Sequence, residues 1–317
     1  MTNKTFTSFK DAINGDAGED SFVVMAGAGT IKMGQSDDEL SIYGDVDSII
    51  MGKGDDALFI ENGASVTSIE LTNGNNTVHA RDAGAIGTIT GGEDRDYIII
   101  GDNGANHVNM GDGDDYLGAT GFISNVSAGD GDDTVYLQGS AGRVDLGKGD
   151  DTATIEGDAD RIDAGKGDDN VEVHGDVDTV YLGAGDDNLT LHGDARYVFA
   201  GDGDDTVTLG SGGAVSLGDG DDTMTFGSGG NIGLGGDGDD TFIFDTATAG
   251  ANNQANGGNG DDTLIIEFDA RNADYHDTVD ALNGWDGDDI DLTAIGIEVA
   301  DIENIVISID GAIDAIF

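Results

Sequence analysis

One turn, Gly-x-Gly-Asp-Asp, recurs along this chain with an almost constant step. Ten copies are unbroken, beginning at Gly52, Gly111, Gly129, Gly147, Gly165, Gly183, Gly201, Gly218, Gly236 and Gly258. Five altered copies begin at Asp16, Gly34, Thr72, Gly92 and Trp285. From Gly111 to Gly236 the step is eighteen residues, with a single step of seventeen. A period this strict means one supersecondary unit stacked on itself, since a unit so small cannot bury its own apolar face.

Each unit divides into two nines, as in Gly165-Lys-Gly-Asp-Asp-Asn-Val-Glu-Val173 and His174-Gly-Asp-Val-Asp-Thr-Val-Tyr-Leu182. A nine is a Gly/Asp turn followed by an alternating segment, the period of a strand with one buried face. The inward positions of the first nine are Val135 and Leu137, Val171 and Val173, Leu189 and Leu191, Val207 and Leu209, Met224 and Phe226, and Phe242 and Phe244. Those of the second are Val144 and Leu146, Ile162 and Ala164, Val180 and Leu182, Val198 and Ala200, and Val215 and Leu217. The pattern predicts an all-β parallel β-solenoid with about 18 residues per coil. Residues 16–262 are expected to form it, with degenerate coils over 16–110 and regular coils over 111–262. Residues 1–15 should cap the first coil, and 263–317 should form a C-terminal cap.

The same period stacks acids. The chain carries 65 Asp plus Glu against 12 Lys plus Arg, a net charge of -53. Carboxylates stacked about 5 Å apart repel by roughly 3 kcal/mol per pair at an effective dielectric near 20. A divalent cation between coils reverses that sign. The available donors are Asp carboxylates and peptide carbonyls, with no clustered His or Cys. Hard oxygen donors in a flexible loop favour Ca²⁺ over Zn²⁺, and Mg²⁺ prefers to keep its waters. The bland alternative is ordinary solvated turn acids, since Asp and Gly favour turns anyway.

The remaining composition excludes several classes. With no basic patch to release phosphate counterions, no nucleic-acid partner is expected. Zero Cys removes disulfides and thiolate metal sites, and zero Pro suits a backbone committed to sheet ladders. No apolar run reaches transmembrane length, and the first ten residues lack the apolar core of a cleavable signal. No nucleophile–base pair, phosphate loop or zinc spacing stands out, so no enzyme is expected. Paired carboxylates can serve a glycosidase, but here they form a lattice of equal pairs. The His residues at 79, 107, 174, 192 and 276 show no constellation. His174 and His192 share a ladder with Gln138 and Glu156, read as an exposed ladder or a metal or pH site. Lys148 and Lys166, inside the Gly-x-Gly, dilute the local negative charge. Tyr181 and Phe199, with Tyr197 beside them, should face outward as tolerated surface or as a lateral contact patch.

Ala164-Gly-Lys-Gly-Asp-Asp-Asn-Val-Glu172 resembles the calcium nonapeptide G-G-x-G-x-D-x-U-x of the RTX (repeats-in-toxin, hemolysin-type) family, save for Ala at the first position. The resemblance covers residues 16–262, in phase. It implies a right-handed parallel β-roll with many Ca²⁺ ions, roughly ten or more, between successive turns. The implied carboxylate ligands are Asp56, Asp115, Asp133, Asp151, Asp169, Asp187, Asp205, Asp222, Asp240 and Asp262, with Asp55 and its equivalents either ligating or balancing charge. The implied carbonyl donors are Gly111, Gly113, Gly129, Gly131, Gly147, Gly149, Gly165, Gly167, Gly183, Gly185, Gly201, Gly203, Gly218, Gly220, Gly236, Gly238, Gly258 and Gly260. The second nine departs from the motif, so a second row of ions, around Asp160 and Asp178, is open.

The resemblance further implies export by the type I secretion machinery on an uncleaved C-terminal signal, and Asp289-Ile-Asp-Leu-Thr-Ala294 is similar to the segment that often follows such repeats. Repeats beginning at Asp16 leave no room for a separate effector. The expected function is therefore a secreted, calcium-binding structural protein that folds on Ca²⁺. It would self-assemble as a homo-oligomer or filament, through its ends or faces, into a fibre, matrix or surface layer. The alternative is a Ca²⁺-dependent adhesin or ligand-binding module for sugar or cell surface. Ice binding fits less well, because ice-binding repeats resemble Gly-Thr-Gly-Asn-Asp, and Lys148, Lys166, Ala184, Asp202 and Asp219 stand here in place of Thr.

Overall fold

Every inward residue named above is buried, so the alternating segments form the two-faced strands that their spacing predicts. The computed structural model describes residues 2–248, 252–268, 292, 295–309 and 312–316. It is an all-β, parallel β-solenoid of about fifteen turns, without an α-helix among the described residues. Two compact units divide it, Met1–Asp160 and Arg161–Phe317.

In the first unit a short strand and a long strand alternate. Short strands Thr77–Ala80, Tyr97–Ile100, Tyr116–Ala119 and Thr134–Leu137 pair in parallel, each with the next. Long strands Ala105–Asp112, Ile123–Asp130 and Ala141–Lys148 do the same in a second sheet, with Val108, Val126 and Val144 in register. Residues 2–14 form a coil of their own: Thr2–Phe6 and Lys10–Asn14 pair in parallel with Asp20–Val24 and Ala28–Gln35. This coil is largely polar and exposed, and Phe6 lies edge-on over Phe22 at 5.5 Å, covering the end of the apolar seam.

The second unit repeats the scheme. Asn170–Val173, Asn188–Leu191, Thr206–Thr208, Thr223–Thr225, Thr241–Asp245, Thr263–Phe268 and Asn304–Ile309 build its short-strand sheet. Val177–Ala184, Ala195–Asp202, Ala214–Asp219, Ile232–Asp237, Asn253–Asn259 and Ile297–Ala300 build the other. The final strand, Ala312–Ile316, pairs antiparallel with Asn304–Ile309. The turn at Trp285, and all of Asp289–Ala294 except the buried Leu292, lie outside the described residues.

The two nines are not equivalent, although the sequence divides them evenly. In the coils from Thr134 to Asp202 one strand has four residues and the other eight, and the long one holds a third inward residue: Ala141, Val177 or Ala195. Its buried positions, such as Val177, Val180 and Leu182, are spaced by three and then by two. That change of spacing breaks strict alternation and marks a bend within the strand. Each fully buried Val or Leu contributes about 1.5–3 kcal/mol.

Candidate metal centre

The glycines come first, because they set the corner. All the turn glycines named above, from Gly111 to Gly260, have positive φ. Gly129, at φ 128°, shows what this allows: a Cβ there would collide with the carbonyl oxygen of Gly111 in the preceding coil. Only a residue without Cβ lets the carbonyls of successive corners come so close. The degenerate turns keep the geometry at a cost, since Ser36 and Thr72 sit at φ 77° and 71°. A left-handed side-chain-bearing residue costs roughly 1–2 kcal/mol.

The two acids of each pair then part. The first, such as Asp55, Asp132, Asp186 or Asp204, is exposed. Its carboxylate accepts from the equivalent backbone N–H one coil on: Asp150 N–H to Asp132 at 2.9 Å, Asp204 N–H to Asp186 at 2.9 Å, Asn75 N–H to Asp55 at 2.8 Å. The second is buried in every predicted case: Asp56, Asp115, Asp133, Asp151, Asp169, Asp187, Asp205, Asp222, Asp240 and Asp262. Its Oδ1 accepts in the opposite sense, from the coil before: Asp115 N–H to Asp133 at 2.8 Å, Asp187 N–H to Asp205 at 2.8 Å, Asp222 N–H to Asp240 at 3.0 Å. Two crossed ladders therefore tie each coil to both of its neighbours.

The other oxygen of the buried acids decides the chemistry. In Asp56, Asp115, Asp133, Asp187, Asp205, Asp222, Asp240 and Asp262 the Oδ2 is buried and meets no hydrogen-bond donor. An oxygen left in this way costs about 1–3 kcal/mol, more when charged. Burial, together with neighbouring acids, pushes Asp133 up to about 8 and Asp115, Asp205 and Asp222 up to about 7; backbone hydrogen bonds offset only part. The solenoid resembles one already solved. A crystal structure of a hyperactive, Ca²⁺-dependent, β-helical antifreeze protein from an Antarctic bacterium matches 98% of this chain and 95% of its own at 22% identity, with a TM-score of 0.65. At that identity the likeness is one of fold. No family model and no curated protein matches the chain.

One degenerate turn shows what such a corner requires. Asn76 takes the buried acid's place, and its amide donates to Gly74 O at 2.8 Å and to Asp96 Oδ1 at 2.9 Å. A neutral hydrogen-bond donor thus bridges a turn carbonyl and the next coil's carboxylate. At Asp56, Asp115, Asp133, Asp187, Asp205, Asp222, Asp240 and Asp262 the Oδ2 of this cradle of carbonyl and carboxylate oxygens meets no such donor. An all-oxygen set with spare negative charge fits a hard divalent cation. The residues that would hold it are the buried Asp, its neighbour one coil away and the turn carbonyls.

Other acids share the column without having been singled out. Asp20, Asp38 and Asp96 are buried in the degenerate turns and continue the Oδ1 ladder. Glu303 ends it, accepting from Asp262 N–H at 2.8 Å. The signal for Glu303 was its place directly before the alternating Asn304–Ile309 strand, in register with Asp262 before Thr263–Phe268. The second row is arranged differently. There the inward residue falls one position earlier, at Ala159 and Val177, and turns Asp160 and Asp178 outward; Asp178 lies 3.5 Å from Arg196.

Proposed function

We propose that this protein is a calcium-binding solenoid of the RTX kind that folds as its acidic corners fill and serves outside the cell as a structural, self-assembling element. The observation that carries the reading is the column of buried carboxylates, in which Asp56, Asp115, Asp133, Asp187, Asp205, Asp222, Asp240 and Asp262 each hold an oxygen that no donor meets. Ca²⁺ supplies that missing partner and cancels repulsion along the ladder. Binding to the native state alone stabilises it by mass action, so many sites couple metal to folding. Low cytosolic Ca²⁺ would keep the chain extended, which suits passage through a type I exporter. No catalytic step belongs to this reading, since the acid pairs are equal members of a lattice.

Self-assembly draws support from an apolar patch on the long-strand sheet of the second unit. Tyr181 and Phe199 stack at 5.0 Å, Tyr197 lies beside them, and Ile232 and Leu234 continue outward, 39% and 47% exposed. Large exposed apolar groups gathered on one face mark contact surfaces. The test is light scattering in millimolar Ca²⁺, for the parent chain and for F199E. Ca²⁺-dependent growth that F199E reduces is expected; monomers at every Ca²⁺ concentration would remove the assembly part. Calorimetric titration tests the metal part, which would fail if fewer than a few ions bind.

A ligand-binding role has one observation of its own. On the first unit, a groove of about 520 Å³ is lined by Tyr116 and Tyr136 together with Arg81, Asp102 and Gln138. Aromatic faces beside polar groups suit a sugar ring. A glycan array probed in Ca²⁺, with Y136A as control, tests this. The antifreeze activity of the similar structure calls for a thermal hysteresis assay, in which little effect is expected because Lys and Asp occupy the turn positions where ice-binding repeats carry Thr.

A further inference from the structure

The coil repeat brings together three side chains that lie apart in sequence. Glu172 points outward from Asn170–Val173, His174 follows that strand, and His192 occupies the same place one coil later. The two imidazoles stack at 4.4 Å between centroids, inclined by 26°. Both Nε2 atoms face one carboxylate oxygen: His174 Nε2 lies 3.2 Å from Glu172 Oε1 and His192 Nε2 3.0 Å from it. The three donor atoms all lie within 4.8 Å of one another. The cluster sits at the opposite end of the short strand from Asp169.

We propose that Glu172, His174 and His192 form a site for one borderline transition ion, of the Zn²⁺ class, distinct from the acidic corners. Tetrahedral Zn²⁺ holds His nitrogen at about 2.0–2.1 Å and carboxylate oxygen at about 2.0–2.2 Å, which sets donor–donor edges near 3.4 Å. The two nitrogen–oxygen separations need only a few tenths of an ångström of opening, and the stacked rings must tilt so that both lone pairs meet one point; these side chains are 40–48% exposed, which leaves room for that adjustment. Two imidazoles and one carboxylate leave a fourth position for water. The donor set differs in kind from the corners: neutral nitrogen suits Zn²⁺, Cu²⁺ and Ni²⁺, while an all-oxygen corner suits Ca²⁺. The two metals would therefore sort to different ends of the same coil.

The test uses the full chain saturated with Ca²⁺ and titrated with Co²⁺, then with Zn²⁺ as competitor. The expected result is one tight site per chain, with the intense visible absorption of four-coordinate Co²⁺, bleached by Zn²⁺. H174Q and H192Q should each weaken binding by more than about tenfold, the lower bound for losing even an outer-shell partner. Circular dichroism in Ca²⁺ checks that both variants keep the β spectrum. Pale octahedral Co²⁺ spectra, or titrations identical in parent and variants, would overturn the proposal. If H174Q and H192Q fail to fold, E172Q, which keeps the length of the side chain, decides by the same measurement.

Discussion

At the scale of single residues, the two acids of each pair do different jobs that their identical side chains conceal. Asp132 faces water and caps an N–H of the next coil, whereas Asp133 is buried and keeps one oxygen unmet. D133N should therefore imitate Asn76. In chelator it is expected to be more stable than the parent by about 1–3 kcal/mol, the cost of an unmet buried group. In Ca²⁺ it should bind fewer ions, and urea unfolding with and without Ca²⁺ checks both. A pH dependence follows from the same burial. Asp133 is raised to about 8 and Asp115 to about 7, against 3.8 when unfolded. The folded, metal-free chain holds those protons more tightly than the unfolded one. Its stability is then greatest below about pH 4 and falls as pH rises towards 8. Circular dichroism in EDTA should show more β structure at pH 5 than at pH 8, and equal spectra would contradict this. The position of these acids was legible from the repeat alone. The resemblance set the second acid of each pair apart and left the first open between ligating and balancing charge; that the first accepts from the next coil's N–H was not legible, because it depends on contact between coils.

At the scale of the strand, the inward residues were readable because a two-residue period leaves few choices of buried face. The third inward residue was not, because the bend between Val177 and Val180 interrupts that period. The second acidic row differs for the same reason: with Val177 turned inward, Asp178 faces water beside Arg196. Coil-to-coil packing makes two substitutions informative. Leu189 is fully buried, and L189A should cost about 2–5 kcal/mol, read from denaturant midpoints. G129A places a methyl against the Gly111 carbonyl at a left-handed φ, and should cost more than the roughly 1–2 kcal/mol of that conformation alone. It should also lower Ca²⁺ affinity at that corner, whereas L189A should leave the affinity of the folded state unchanged.

At the scale of the whole chain, a net charge of -53 opposes any compact state without counter-ions. Circular dichroism in EDTA at pH 8 should show little β structure, and millimolar Ca²⁺ should restore it. A β spectrum unchanged by chelator would sever metal from folding. The repeat alone placed His174 and His192 in one ladder, open between an exposed ladder and a metal or pH site; the part of Glu172 became visible only when stacking set both imidazoles beside it. Stacking has a direction as well. A row of like-oriented strands is open to one more of the same orientation, but Ala312–Ile316 runs the other way along the edge of Asn304–Ile309. The leading strand of a second molecule, Thr2–Phe6, is built to lie alongside a neighbour of its own sense. At this edge it would find a reversed one. If copies assemble as proposed, head-to-tail growth along that sheet meets a mismatch of direction, and broadside contact is the route left to them.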